Sequence, residues 1–211
     1  MKSQVHHGCS MGDLIITAIQ RGGDRDAFVL ADLHITYREM GRQVSQIIQV
    51  FKGMGLQHGQ TIATLSTNRP HAFLISAVAY VMGLRVVWMN PMSSSDDHLY
   101  QVEDAQVQLL IVEPHSFGER ALKIVQSVDR PFTVLGLGTW GEQIDVFSLM
   151  EQYKPQPLVS CSQEDDDCVL IYTGGTTGKP KGVLHNHRVM VAMVMMQMAD
   201  FDWPANPHFL A

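Results

Sequence analysis

The sequence predicts an α/β protein built on a mainly parallel, helix-covered sheet. Short apolar runs rich in Val, Ile and Leu recur along the chain. Between them lie stretches with apolar residues at helical spacing, and Gly, Pro, Asn or Ser marks the changes. Strands alternating with helices in this way imply crossover units, parallel neighbours and right-handed connections.

After a polar start, Ala27–Leu30 and His34–Tyr37 read as two short strands around an Ala31-Asp32-Leu33 turn. Met40, Val44, Ile47, Ile48 and Phe51 recur at helical spacing, so a helix runs from about Arg38 to Phe51 and closes at Gly53 and Gly55. Gln60–Leu65 is a strand. Asn68 can cap the next helix, with Pro70 in its first turn and Gly83 at its end. Leu84–Met89 is a strand, and Ser95-Asp96-Asp97 opens a helix to about Ala105. Gln108–Val112 is a strand, Phe117 to Val128 a helix, Thr133–Leu137 a strand and Ile144 to Tyr153 a helix.

Lys154-Pro155-Gln156-Pro157 is a break. It divides an expected first α/β subdomain, 1–154, from the start of a second, 155–211. The second part contains the acidic run Glu164–Asp167, expected to be a solvated approach to the strand Cys168–Tyr172. A glycine-rich loop follows, then a short strand Gly182–Leu184 and a helix from about Asn186 to Asp200.

Bulk properties exclude several function classes. The 211 residues are 45% hydrophobic and 17% charged, as in an ordinary globular chain long enough to bury a core. A formal net charge of −6, with no Lys/Arg block, argues against a nucleic-acid partner. The N-terminus lacks the apolar run of a signal peptide, and Phe73–Leu84 is shorter than the ~20 residues of a membrane span, so no transmembrane segment is expected. Three cysteines without a CxxC pair predict neither a disulfide framework nor a zinc site. The expected location is the cytoplasm.

The chemistry concentrates in Tyr172-Thr173-Gly174-Gly175-Thr176-Thr177-Gly178-Lys179-Pro180-Lys181-Gly182. Glycines let a backbone adopt positive φ and approach a ligand closely, so that N–H groups can converge on an anion. Gly174, Gly175 and Gly178 supply that freedom. Thr173, Thr176 and Thr177 add hydroxyls, and Lys179 and Lys181 add counter-charge. Such a set, placed directly after an apolar strand, predicts a phosphate grip. It is not the GxxxxGK[ST] loop, because Thr173 stands where the first Gly belongs and Pro180 where the Ser/Thr belongs. A GxGxxG fingerprint is absent as well.

The segment resembles the YTSGTTGxPKGV signature of the adenylate-forming (AMP-binding) superfamily, most like a bacterial acyl-CoA synthetase. Weaker likenesses extend from about Asp24 to Phe201: Ile35–Glu39 is similar to TYxEL, Asn90-Pro91 to LNP and Tyr100–Ala105 to YxLxDS. His187-Arg188 is similar to the histidine that follows the loop. The resemblance implies an incomplete N-terminal domain of that fold. It also implies a reaction in which a small-molecule carboxylic acid attacks the α-phosphorus of Mg·ATP and the acyl group then passes to coenzyme A. Residues 173–181 would hold the β- and γ-phosphates. Gly174 stands where the family most often has serine, a Gly-Gly pair similar to that of fatty-acyl-CoA synthetases and one that favours a hydrophobic acid.

The family's base-, ribose- and magnesium-linked segments and its C-terminal catalytic lysine are expected beyond Ala211. No catalytic residue is therefore assigned to this chain, and it is expected not to adenylate an acid alone. Two alternatives stand beside the acyl-CoA ligase: a carrier-protein-loading adenylation domain, and a non-catalytic domain that kept the fold. His185 and His187 lack the partners of a metal site, so no metal ligand is expected. His187 is expected to pack or hydrogen-bond beneath the loop. Met190, Met193, Met195, Met196 and Met198 are expected to sit on a buried helix, with a sharper reading in which some line an acyl tunnel.

Overall fold

The computed structural model describes residues 8–141, 143–174 and 178–204. Its centre is a six-stranded sheet of β3 (Thr61–Leu65), β4 (Arg85–Trp88), β5 (Leu109–Val112), β6 (Thr133–Gly136), β7 (Asp167–Thr173) and β8 (Lys181–Asn186), in the order β6-β5-β3-β4-β7-β8. Every neighbouring pair is parallel except β7 with β8, which form an antiparallel hairpin. The mixed α/β, mostly parallel sheet expected from the alternation is the architecture found. A separate ribbon pairs β1 (Asp26–Leu30) with β2 (Leu33–Thr36), and Ala31 takes φ 51° in its turn.

Alternation along the strands sorts side chains to two faces. Ile62, Val86, Leu109, Ile111 and Leu135 join one core with α1 (Met11–Gly22), α2 (Tyr37–Gly53), α3 (Pro70–Met82) and α6 (Val146–Met150). Ala63, Leu65, Val87, Leu110 and Val112 join the other, under α4 (Ser95–Asp104) and α5 (Pro114–Ser127). On β7 the register shifts between Asp167 and Val169, which places both Cys168 and Val169 in the first core. Leu170 and Tyr172 face the second, and Ile171 faces the first.

The polar start contains a helix. In α1 the Ser10 hydroxyl accepts from the Asp13 N–H (3.1 Å), and the Asp13 carboxylate accepts from the Ser10 N–H (2.9 Å). These two bonds satisfy backbone donors that a helix start leaves free. A Cβ at Gly12 would stand 2.7 Å from the Tyr80 carbonyl oxygen, so glycine is what lets α1 lie this close to α3. Other boundaries shift modestly. Arg69, without a side-chain capping bond, is the N-cap of α3 in place of Asn68. Helix α5 begins at Pro114, since proline needs no N–H partner in a first turn, and α6 is a single short helix of 5 residues.

The Lys154–Pro157 break is strapped to α2. Ser45 Oγ donates to the Gln156 carbonyl (2.8 Å), Gln46 Nε2 to the Tyr153 carbonyl (2.6 Å) and Gln49 Nε2 to the Lys154 carbonyl (2.7 Å). Beyond it the chain re-enters the same sheet, with β7 lying parallel to β4.

The run Glu164–Asp167 leads into β7 with Asp165 and Asp167 exposed, as the expected solvated approach, and it also carries ionic and hydrogen-bonded contacts. Arg188 reaches Asp165 (2.7 Å) and Glu164 (3.2 Å), His58 meets Asp166 (2.7 Å) and Arg85 meets Asp167 (3.4 Å). Four adjacent carboxylates repel one another, and Arg85, His58 and Arg188 fasten the run to β4, to the turn before β3 and to helix α7 (His187–Asp200).

Candidate functional site

Because β3, β4, β5, β6 and β7 all run the same way, their carboxyl ends share one edge of the sheet. In open parallel sheets this is the edge where ligands bind, since the turns leaving it splay apart. The turn after β3 is held by Glu113 at the end of β5: its carboxylate accepts from the Thr67 hydroxyl (2.6 Å) and N–H (2.9 Å) and faces Arg69 (3.2 Å). Burial alone would raise the Glu113 pKa, but the Thr67 bonds and the Arg69 charge outweigh it and hold the carboxyl below its ordinary value. The turn after β4 is held by Asn90, whose carbonyl accepts from His98 Nε2 (2.8 Å) and whose side chain accepts from the Met92 N–H (3.0 Å). Asn90-Pro91 is thus a structural turn of this edge.

The glycine-rich loop leaves the same edge at the end of β7. Thr173 and Lys181 are paired across the hairpin, with the Thr173 hydroxyl 3.4 Å from the Lys181 carbonyl. Thr173, Gly174, Gly178, Lys179 and Lys181 are all exposed. Gly175, Thr176 and Thr177 lie outside the described residues. Among the described residues nothing lies within 4 Å of a Cβ added at Gly174 or Gly178, and the space around both is open. At 174 that space accommodates a serine, the residue usual in the family.

Two residues outside the loop bind its arms. Tyr172, the last residue but one of β7, donates its hydroxyl to Asp104 Oδ2 (2.6 Å). Tyr100 donates to Asp104 Oδ1 (3.2 Å), and the Lys179 ammonium lies 4.9 Å from the centre of the Tyr100 ring. Burial, and after it the bond to Asp104, pushes the Tyr172 hydroxyl well above its usual range, so it stays a donor. The sequence marked Tyr100 and Asp104 only by their motif. Their spacing of four on a helix, which stacks side chains on one face, was the available sign that they act together.

His187 does not lie beneath the loop. The hairpin pairs Asp167 with Asn186, so His187 sits at the far end of β7, seven residues down the strand from the glycines. It is buried, accepts the Met11 N–H on Nδ1 (3.2 Å) and meets the Tyr80 ring edge-on. Burial lowers its pKa. Its signal was local and its place is set by α1, which contributes the N–H.

The methionine helix is also placed differently from the expectation. In α7 only His187 is buried, while Met193, Met195, Met196 and Met198 are 47–63% exposed. Met190 is half-buried against the first core. Val183 and Leu184 of β8 and Phe201 extend the exposed apolar surface. Cys168 is buried and its thiol is pushed up to about 12 by that burial, while Cys9 and Cys161 are exposed. Among the described residues no group of three His, Cys, Asp or Glu side chains is set to hold a metal, and no helix is long and apolar enough to cross a membrane.

Comparison with known proteins agrees with this geometry. The AMP-binding enzyme family matches residues 16–210. The medium/long-chain-fatty-acid–CoA ligase FadD8 of Mycobacterium tuberculosis is 34% identical across 100% of this chain, which spans 37% of that protein. A 2-succinylbenzoate–CoA ligase of Bacillus licheniformis is 28% identical over 76% of the chain and 31% of its own length. Among solved structures, the anthranilate CoA ligase AuaEII in complex with anthranoyl-AMP superposes with a TM-score of 0.82 at 21% identity, over 92% of this chain and 38% of that one. With a glycine–threonine–lysine loop at the carboxyl edge of a parallel sheet and a family match over nearly its whole length, the chain belongs to the AMP-binding enzyme family.

Proposed function

We propose that this chain supplies the phosphate grip of an ATP-dependent acid–thiol ligase, one that forms an acyl-adenylate and then an acyl-CoA. The observation that carries the reading is the open, lysine-bearing loop at the carboxyl edge of β7, flanked by turns that other side chains hold rigid. Thr173, Gly174, Gly175, Thr176, Thr177, Gly178, Lys179 and Lys181 would contact the β- and γ-phosphates. Hydroxyls, backbone N–H groups and ammonium ions fit phosphate oxygens, and a rigid hairpin base lets them be placed before the charge develops. When bound, ATP would supply the adenylyl group that activates the acid, with pyrophosphate as the leaving group.

The loop contains no carboxylate, and no magnesium ligand is assigned to the described residues. Magnesium and coenzyme A belong to the reaction of the longer protein, as does the small carboxylic acid. The chain spans 37% of its fatty-acid–CoA ligase relative. A fatty or other hydrophobic acid is favoured by that relative's name and by the exposed methionines of α7, which offer an apolar wall for an acyl chain. A boundary near residue 154 between two subdomains of the longer protein, and a cytoplasmic location, complete the reading.

Calorimetric titration of the 211-residue chain with Mg·ATP and with pyrophosphate tests it. Saturable binding of both is expected, weakened at least tenfold when Lys179 and Lys181 are both changed to Ala, since each charge-assisted bond contributes about 1.5–3 kcal/mol. Binding that ignores both lysines would sink the assignment. Acid-dependent pyrophosphate release by this chain alone is expected to be absent, and steady turnover would overturn the placement of the catalytic groups elsewhere.

A further inference from the structure

Both arms of the loop converge on one face of α4. Tyr172 leads into the loop and Lys179 leads out of it; Tyr100 and Asp104 stand one helical turn apart and touch both. Tyr100 and Tyr172 also meet edge to face, with ring centres 6.2 Å apart and planes at 81°.

We propose that Tyr100 and Asp104 are positioning residues for the phosphate grip: Asp104 pins the base of the loop through Tyr172, and the face of Tyr100 holds the Lys179 ammonium ready for a phosphate. This rests on the phosphate-binding reading of the loop and adds to it the device that orders one of its cations. A carboxylate beside an anion site is at first sight a liability, because it repels phosphate and competes for lysine. Here each Asp104 oxygen is taken by a tyrosine hydroxyl, at 2.6 and 3.2 Å. Among the described residues no carboxylate pairs with Lys179. An aromatic face attracts an ammonium without neutralising it and leaves N–H donors free. A salt bridge would have occupied the same donors and forced phosphate to displace a carboxylate. The ring therefore restricts a flexible side chain while keeping its charge available, which lowers the ordering cost on binding.

Calorimetry with inorganic pyrophosphate on the wild-type chain and on Tyr100→Phe, Tyr100→Leu, Lys179→Ala and the Tyr100→Leu/Lys179→Ala double variant decides the matter. Tyr100→Phe keeps the ring but frees one Asp104 oxygen, so it is expected to bind more weakly than wild type and more tightly than Tyr100→Leu. Tyr100→Leu is expected to bind about two- to fivefold more weakly, the range of a partly exposed cation–π contact. In the Lys179→Ala background Tyr100→Leu should add nothing, because the ring then has no cation to hold. Equal weakening in both backgrounds, or no weakening in either, would overturn the positioning role while leaving the phosphate reading intact. A wild-type chain that takes up neither pyrophosphate nor Mg·ATP would overturn both. NMR gives a readout independent of ligand: the Lys179 side-chain methylene protons should be shifted upfield by the ring in wild type and Tyr100→Phe and not in Tyr100→Leu. Their unshifted resonance in wild type would overturn the contact itself.

Discussion

Helices α3 and α7 are close in composition and opposite in fate. Both are apolar around most of their circumference, α3 as PHAFLISAVAYVM and α7 as HRVMVAMVMMQMAD. In α3 every residue from Leu74 to Met82 is buried, between the sheet, α1 and α2; in α7 only His187 is. An all-apolar helix is one that other structure covers on every side. For α3 the described residues supply that cover, and for α7 they do not. The pattern of a helix thus states what it needs, and its neighbours decide whether it gets it.

The sharpest way to break this contrast is a matched pair of truncations. Leu74→Ala should lower unfolding free energy in urea by about 2–5 kcal/mol, because it opens a cavity in a packed core. Met195→Ala, at a site 60% exposed, should change it by less than about 0.5 kcal/mol. Similar costs would mean that α7 is covered in solution.

Next in size is the edge that carries the site. Glu113→Ala leaves Thr67 and Arg69 without their acceptor and is expected to cost about 1–3 kcal/mol. A cost confined to stability, with pyrophosphate affinity unchanged, would show that the β3 turn is held for the fold and not for the ligand.

His187 gives a pH test of how α1 is fastened. Its folded pKa lies below the ordinary value of about 6.5, first because of burial, so the unfolded chain takes up the proton earlier. Stability should therefore rise with pH through the window that ends near that value and fall on acidification. His187→Asn should flatten this slope in denaturant midpoints measured across the window, and an unchanged slope would place the titration elsewhere. The smallest effect is expected from Gly174→Ser, which enters open space: the urea midpoint should not move, whereas a loss of stability would show that position 174 needs a glycine.

The parts of the fold that were legible share a cause. Strands β3 to β8 and helices α2 to α5 follow periodicity and turn chemistry, which act over a few residues and are written locally. The loop was legible for the same reason: its donors, glycines and charges are contiguous. Helix α1 carried a readable start in Ser10 and Asp13, but its apolar residues are half-buried and the stretch looked polar. The misplacement of His187 and the unforeseen contacts of the acidic run are of another kind. His187 depends on the Met11 N–H, and Glu164–Asp167 depend on Arg188, His58 and Arg85, partners that in most cases lie far away in the chain.

By itself the sequence determined the alternating α/β elements, the glycine-rich segment from Tyr172 to Gly182 that follows an apolar strand, and the family to which that segment points. Only the tertiary structure decided which apolar helix is buried, which end of β7 His187 occupies, and that Tyr100 and Asp104 meet both arms of the loop. Local torsional preference and contiguous chemistry need no knowledge of the fold. Burial, ion pairing and cation–π contact are properties of pairs, and a pair exists only once the chain has brought its members together.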